Sequence, residues 1–364
     1  MAAHSSDIVI IGSGIAGATA ALALAPSARV TIIDKLAQPP ARPGECLPAP
    51  AGRILRKLGL WQEFLQQSHR VSLGVQSYWG TAQAHIQDSL RNPDGHGWHL
   101  NRPEFESLLQ QTAEARGVNL LNPATVTAAR RNAASWQLTL NNGDAINTGW
   151  VIDATGRNAC FARQQGAQRT SDDSLIAAWG IITQDIARGM QRSMATIAAA
   201  ENGWWYSAPL PNNQRLLAYH TDQTLLNTAQ WRHPEPFKRA ALQQSALADL
   251  GIDASLATLD YRGITAAHST KLNQVCGNRW AAIGDAAISF DPLSSQGMYN
   301  AMASAMQFAE LFQAGAVTRE YPKQVQAIWQ HYVNHKAFFY GQERRFVTQP
   351  FWQDRQRDAR SSTA

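Results

Sequence analysis

Gly12, Gly14 and Gly17 stand at the spacing G-x-G-x-x-G, directly after an apolar run from Asp7 to Ile11 and ahead of an Ala/Leu-rich stretch that reaches Ala25. Gly12 permits a tight turn, Gly14 lets the backbone approach a pyrophosphate, and Gly17 lets helix and strand close up. Ile15 and Ala16 would open the helix, whose free N–H groups and positive dipole end attract phosphate. A second apolar run, residues 29–33, ends on Asp34, 22 residues beyond Gly12, where a carboxylate can accept from an adenosine ribose. Strand, turn, helix and strand together predict a dinucleotide-binding βαβ unit. The bland alternative is a glycine-rich packing turn.

Further along, other residues carry chemistry in similar settings. Residues 42–48 (RPGECLP) form a loop enforced by two prolines and a glycine, and they present Arg42, Glu45 and Cys46. Pro103 marks a helix start with Glu104 and Glu106 in the first turn, so Arg102 sits where a cation is unfavourable and a bound phosphate or carboxylate would relieve the conflict. Residues 150–153 read as a buried strand ending in the turn Ala154-Thr155-Gly156. Near residue 280 a strand runs into Gly284-Asp285, then Pro292, then Gly297 and Met298 at the start of a helix to about residue 311. There an aspartate can accept from a polyol and free amides can stabilise negative charge.

The elements that must hold these groups follow from length and patterning. With 364 residues, 45% hydrophobic and 16% charged, the chain is long enough for one large or two modest domains and is not a disordered one. Residues 174–271 alternate with period two more than their flanks, and residues 215–220 are one such strand, which predicts a β-rich unit capping the nucleotide domain. The expected division is 1–75, 98–173 and 272–315 for the nucleotide domain, 76–97 and 174–271 for the β-rich unit, and 316–364 for C-terminal helices. Cys46, Cys160 and Cys276 are odd in number and far apart, which argues against a zinc site, any other metal site of that kind, or a disulfide framework. The net charge of +5 is scattered, so nucleic acid is not expected, and no run of apolar residues suits a membrane span. A cytoplasmic, reducing location fits these observations.

Three motifs taken together, Gly12/Gly14/Gly17 with Asp34, the Asp153–Gly156 strand end, and Gly284-Asp285 followed by Pro292 and Gly297, resemble FAD-dependent monooxygenases of the aromatic-hydroxylase kind and their halogenase-like branch. The resemblance implies an α/β fold: a discontinuous Rossmann-like FAD-binding domain of the aromatic-hydroxylase and glutathione-reductase type, an interleaved β-rich substrate domain, and C-terminal helices. It implies FAD held by Gly12, Gly14, Ile15, Ala16, Gly17, Asp34, Lys35, Arg42, Glu45, Arg102, Val126, Gly156, Gly284, Asp285, Gly297 and Met298. Asp285 would take the ribityl chain, and the amides of Gly297 and Met298 would face the N1/C2 side of the flavin ring. Halogenases of this branch rely on a lysine in the N-terminal third, whereas this chain has no lysine between Lys57 and Lys238. Residues 44–48, 77–80, 203–209 and 340–352 are instead similar to flavoproteins that modify tryptophan in partner proteins during biogenesis of cysteine tryptophylquinone in lysine and glycine oxidases. Such a protein would oxygenate an indole ring of a quinone-forming oxidase precursor, with electrons from NAD(P)H or a separate flavin reductase. Small-molecule indole or phenol hydroxylation, a non-catalytic FAD-stabilised assembly role, and halogenation are the alternatives.

Within that picture Glu45 is either a proton acceptor at the flavin edge or a structural residue of its loop, and His220 is either a base or a satisfied strand histidine. Cys46, Trp79, Trp204, Tyr206 and Pro292 are expected to line the substrate pocket, with sheet packing as the alternative for the aromatics. Trp204 and Trp205 must point to opposite faces of a strand, so at least one is expected to face out of the core.

Overall fold

The computed structural model describes residues 3–90, 92–171, 173–184 and 194–361. The strand Ala3–Ile11 pairs in parallel with Val30–Ile33 on one side and Ala145–Asp153 on the other, and Ala145–Asp153 pairs in parallel with Trp280–Ala282. Asn119–Leu121 adds in parallel beyond Val30–Ile33. This is a Rossmann-type α/β arrangement, in which a parallel sheet covered on both faces is built from uninterrupted apolar strands. All four residues of Val30–Ile33 are buried.

The helix Ile15–Leu24 buries nine of its ten residues. It is built almost wholly of Ala, Gly and Leu, so it lies close against helices Gly297–Gln313 and Arg102–Ala115. Asp153 ends its strand fully buried: one carboxylate oxygen accepts from the Thr155 amide and hydroxyl, and the other from the Ala162 amide. Its role is to fix the following turn.

A seven-stranded sheet runs in the order Asp260–Ala266, Leu175–Thr183, Gln214–Asp222, Gly203–Leu210, Ala195–Ala200, Gly74–Tyr78, His85–Asp88. The expectation that one of Trp204 and Trp205 faces out of the core is corrected here, since both are buried. Their side chains do point to opposite faces, but this sheet is covered on both. Trp205 packs with Phe237 and Leu247 of the helices Pro234–Leu242 and Ser245–Ala248. Trp204 packs with Tyr340, Phe351 and Trp352 of the helices Val317–Gln342 and Pro350–Ser361. No helix among the described residues is long and apolar enough to cross a membrane.

The last helix is locked to the sheet by Arg355, whose Nη1 and Nη2 donate to the two oxygens of Asp222 at 2.6 and 2.9 Å, both side chains being buried. The guanidinium also lies 3.6 Å from the Phe351 ring centroid. Removing one member of a buried ion pair strands the other charge. Arg355→Leu is therefore expected to lower stability by about 3–5 kcal/mol, read by urea denaturation, and the double variant with Asp222→Leu to recover part of that loss.

Candidate active site

A cavity of about 740 Å³ lies where the two large sheets meet. At one end the turn after Ala3–Ile11 supplies its wall. Gly12 has φ +108°, and a Cβ there would press on the Ala154 carbonyl; a Cβ on Gly17 would press on the Gly12 carbonyl. The first and third glycines thus serve backbone packing. At Gly14 an added Cβ would meet only Arg42 Nη2, at 3.3 Å, so the position stays open toward the cavity. The helix behind it has no side-chain N-cap, which leaves its first amides free for phosphate.

Asp34 faces this end with Oδ2 accepting from the Ser13 amide (2.6 Å) and hydroxyl (2.8 Å) and Oδ1 from the Leu36 amide (2.8 Å). Gln110 is buried behind Ser13 and donates to its carbonyl and hydroxyl oxygens. Arg102 does not need a ligand to relieve its position at the helix start, contrary to the sequence expectation. Its Nε donates to buried Glu106 (2.8 Å), which also receives Arg42 at 2.5 Å, and its Nη1 donates to the carbonyls of Pro43 and Gly44. Two arginines share one carboxylate, and the loop carrying Glu45 is tied to that cluster.

The opposite end is lined by Glu45, Cys46, Trp204, Tyr206, His220, Asp285, Asp291, Pro292, Gly297 and Met298. Glu45 is only 3% exposed, so the solvated glutamate usual for such a loop is not what forms here. Burial raises its carboxyl above the ordinary carboxylate range, against the pull of the Tyr206 hydroxyl, which donates to Oε1 at 2.6 Å. The helix Gly297–Gln313 also starts without a side-chain cap, presenting free amides at Gly297 and Met298. Asp285 lies 3.7 Å from Arg157 Nε and stays 39% exposed toward the cavity.

Of the residues expected at the site, Gly12, Gly14, Ile15, Ala16, Asp34, Lys35, Arg42, Glu45, Arg102, Val126, Gly156, Asp285, Gly297 and Met298 line the cavity, as do Cys46, Trp204, Tyr206, His220 and Pro292. Gly17 and Gly284 sit behind the wall, Gly284 against Ala16. Trp79 does not line the cavity. Its ring packs on Trp204, Tyr340 and Trp352, one layer further out, and its Nε1 donates to the Phe339 carbonyl. His220 lies at the wall but stacks on Trp204 with 3.7 Å between ring centroids and 7° between planes, and burial pulls its imidazole down to about 3. So weak a base does not fit the proton-accepting role. Cys46 is free, and burial pushes its thiol up to about 12, which makes it an inert wall residue.

The sequence profile of the FAD binding domain family matches residues 5–317. This chain belongs to that family. FAD is the cofactor of this flavoprotein, an FAD-dependent oxidoreductase, and the open cradle at Gly14, the two uncapped helix starts and the acids at each end of the cavity fit it. Among relatives, LodB of Marinomonas mediterranea, named as an FAD-dependent oxidoreductase, is 26% identical over 361 residues, covering 97% of both chains. Two solved structures share the fold. One is the myxobacterial chondrochloren halogenase CndH, with TM-score 0.85, 20% identity, and 99% of this chain against 89% of that one. The other is QhpG, a peptidyl tryptophan dihydroxylase essential for tryptophylquinone cofactor biogenesis, with TM-score 0.77, 21% identity, and 97% of this chain against 79% of that one.

In the flavoprotein, Gly14, Arg42 and the first amides of Ile15–Leu24 would take the FAD phosphates, Asp34 the adenosine ribose, and Asp285 the ribityl hydroxyls. Losing a charged acceptor costs about 1.5–3 kcal/mol, so Asp285→Ala is expected to weaken FAD binding about tenfold to a hundredfold. Titration of apoprotein with FAD, followed by flavin fluorescence, checks this; unchanged affinity would remove the assignment.

Sequence reasoning missed Ser13, Glu106 and Gln110 as partners of the cradle, Asp291 at the far wall and Tyr340 behind it. A signal existed for two of them. Glu106 and Gln110 fall four apart beside Phe105, Leu109 and Ala113, so they interrupt the buried stripe of their helix with groups that need partners.

Proposed function

We propose that this flavoprotein is a monooxygenase that oxygenates a tryptophan side chain of a partner protein during biogenesis of a cysteine tryptophylquinone cofactor. The carrying observation is the far wall of the cavity. It joins a buried, hydrogen-bonded carboxyl at Glu45 to the aromatic ring of Tyr206, beside the helix start that would meet the flavin ring. Of the six lysines in the chain, Lys35 lines the cavity, and it adjoins Asp34 at the opposite, adenosine end. The amine on which halogenation depends therefore has no counterpart at the substrate wall. The structural likeness to QhpG, a peptidyl tryptophan dihydroxylase, supports the same reading.

Bound FAD supplies dioxygen activation once reduced, with electrons from NAD(P)H or a separate flavin reductase. The chain's residues do the rest. Tyr206 holds Glu45 by donating to Oε1, and Glu45 accepts the proton that an indole ring sheds as it gains oxygen. Trp204, stacked on His220, stiffens the wall behind Tyr206, while the amides of Gly297 and Met298 would stabilise negative charge on the cofactor.

Co-expression with the protein encoded beside it, followed by intact mass of that partner, tests the proposal. The expected result is a partner that gains oxygen only when this chain is present. An unmodified but stably bound partner would replace the proposal with an assembly role, and oxygenation of free indoles or phenols alone would replace it with small-molecule hydroxylation.

A further inference from the structure

Behind the far wall of the cavity the polar atoms of three residues form a row. Trp204 Nε1 donates to Tyr340 Oη at 3.0 Å, and Tyr340 Oη donates to Asp291 Oδ2 at 2.7 Å. The other Asp291 oxygen accepts from the Leu293 amide at 2.8 Å, so both oxygens serve as acceptors, and burial makes this carboxylate more basic than a surface one. Trp79 continues the row outward. Its ring centroid is 5.6 Å from that of Tyr340 and 6.4 Å from that of Trp204, and unlike those two it is only half-buried.

Edge-to-face aromatic packing at these spacings is ordinary in a core. A buried tyrosine that accepts from one tryptophan, touches a second, and donates to a carboxylate is more specific. Oxidation of a phenol requires a proton acceptor within hydrogen-bond distance, and Asp291 is that acceptor. We propose that Trp204, Tyr340 and Trp79 form a one-electron relay that carries oxidising equivalents from the cofactor cavity to the protein surface, with Asp291 as its proton holder. The relay does not depend on which substrate the enzyme takes.

Each step moves one electron. Trp204 gives an electron to a one-electron oxidant in the cavity: in the cell superoxide, which takes two protons from water and leaves as hydrogen peroxide, and in the test below the light-excited oxidised cofactor. Tyr340 gives an electron to Trp204 and its phenolic proton to Asp291. Trp79 then gives an electron to Tyr340, which recovers the proton from Asp291, and a thiol or ascorbate in solution re-reduces Trp79. Electrons move inward along the relay only toward a strong oxidant in the cavity, because tryptophan and tyrosine are far too hard to oxidise to reduce a ground-state flavin as a reductase does. Its use is to drain oxidant left in the cavity when no substrate is seated there, before it attacks the wall.

The test uses oxidised, FAD-loaded protein under anaerobic conditions, excited by a blue laser pulse and followed by transient absorption. In the parent protein the expected result is a tryptophan radical, then a tyrosine radical, with charge separation outlasting that of Trp79→Phe and Tyr340→Phe by an order of magnitude or more. Asp291→Asn is expected to keep the tryptophan radical and lose the tyrosine one. Trp205→Phe is the control. Trp205 packs with Tyr219 and Phe237 on the opposite face of the sheet, does not line the cavity, and its loss is expected to leave the traces unchanged.

Equal lifetimes in the parent and Trp79→Phe, or an effect as large from Trp205→Phe, would overturn the relay. Trp79 lies outside the cavity wall, so that comparison decides the matter even where Tyr340→Phe or Asp291→Asn fails to fold. Steady illumination with ascorbate gives a second readout, in which cofactor photoreduction is expected to slow in Trp79→Phe.

Discussion

Gly12→Ala is expected to yield a chain that no longer retains FAD. Two costs fall on one residue. Its φ of +108° is a conformation that L side chains rarely adopt, and a Cβ would press on the carbonyl of Ala154 and the amide of Thr155, both rigid backbone. Relief requires the strand Ala3–Ile11 and the turn after Ala145–Asp153 to move apart, although these neighbours are held by the Ala154 amide donating to the Ile11 carbonyl. Strain and overpacking together are worth about 3 kcal/mol or more. The same displacement shifts the amides that face the phosphates, so the loss of FAD affinity is expected to reach about a hundredfold. Visible absorbance of the purified variant and its thermal melt check both parts, and a yellow variant with parental stability would contradict the account of the turn.

Glu45→Gln is expected to leave folding and FAD content intact and to lower kcat by about a hundredfold or more, the usual worth of a general base. Gln keeps the volume and can still accept from Tyr206, so the packing of the loop survives. The pH profile separates a base from a scaffold. Burial raises the Glu45 carboxyl, so the ionised, proton-accepting form grows in as pH rises through a midpoint above the ordinary carboxylate range, and kcat/KM rises with it. In Glu45→Gln that rise is absent. Tyr206→Phe removes a hydrogen bond that favours the ionised form, so it is expected to shift the rise to higher pH. A Glu45→Gln enzyme with parental kcat and pH profile would reduce Glu45 to a structural residue.

The cradle was legible in the sequence because its determinants are local. Three glycines, an apolar strand before them and an acid at the end of the next strand lie within residues 7–34, and the period of each element shows without its neighbours. The helix starting at Arg102 and the one starting at Gly297 were legible for the same reason. What escaped was partnership across distance. Arg102 read as a conflict because the acid that answers it, Glu106, is also claimed by Arg42 from 64 residues away. The pair Trp204 and Trp205 read as one inside and one outside because alternation fixes opposite faces but not what covers each. The covering helices come from residues 234–248 on one side and 317–361 on the other. Trp79 looked like a pocket residue by its type; its position one layer out depends on Tyr340 and Trp352, more than 250 residues further along.

That last dependence bears on how the enzyme matures. The phosphate cradle leaves the ribosome well ahead of the residues that finish the far wall, since the packing behind Trp204 comes from Tyr340, Phe351 and Trp352, and the lock on Asp222 from Arg355. Until those residues emerge, the strand Gly203–Leu210 has a bare aromatic face and the far wall of the cavity lacks its backing. Cofactor can meet its phosphate site before the reactive end is assembled.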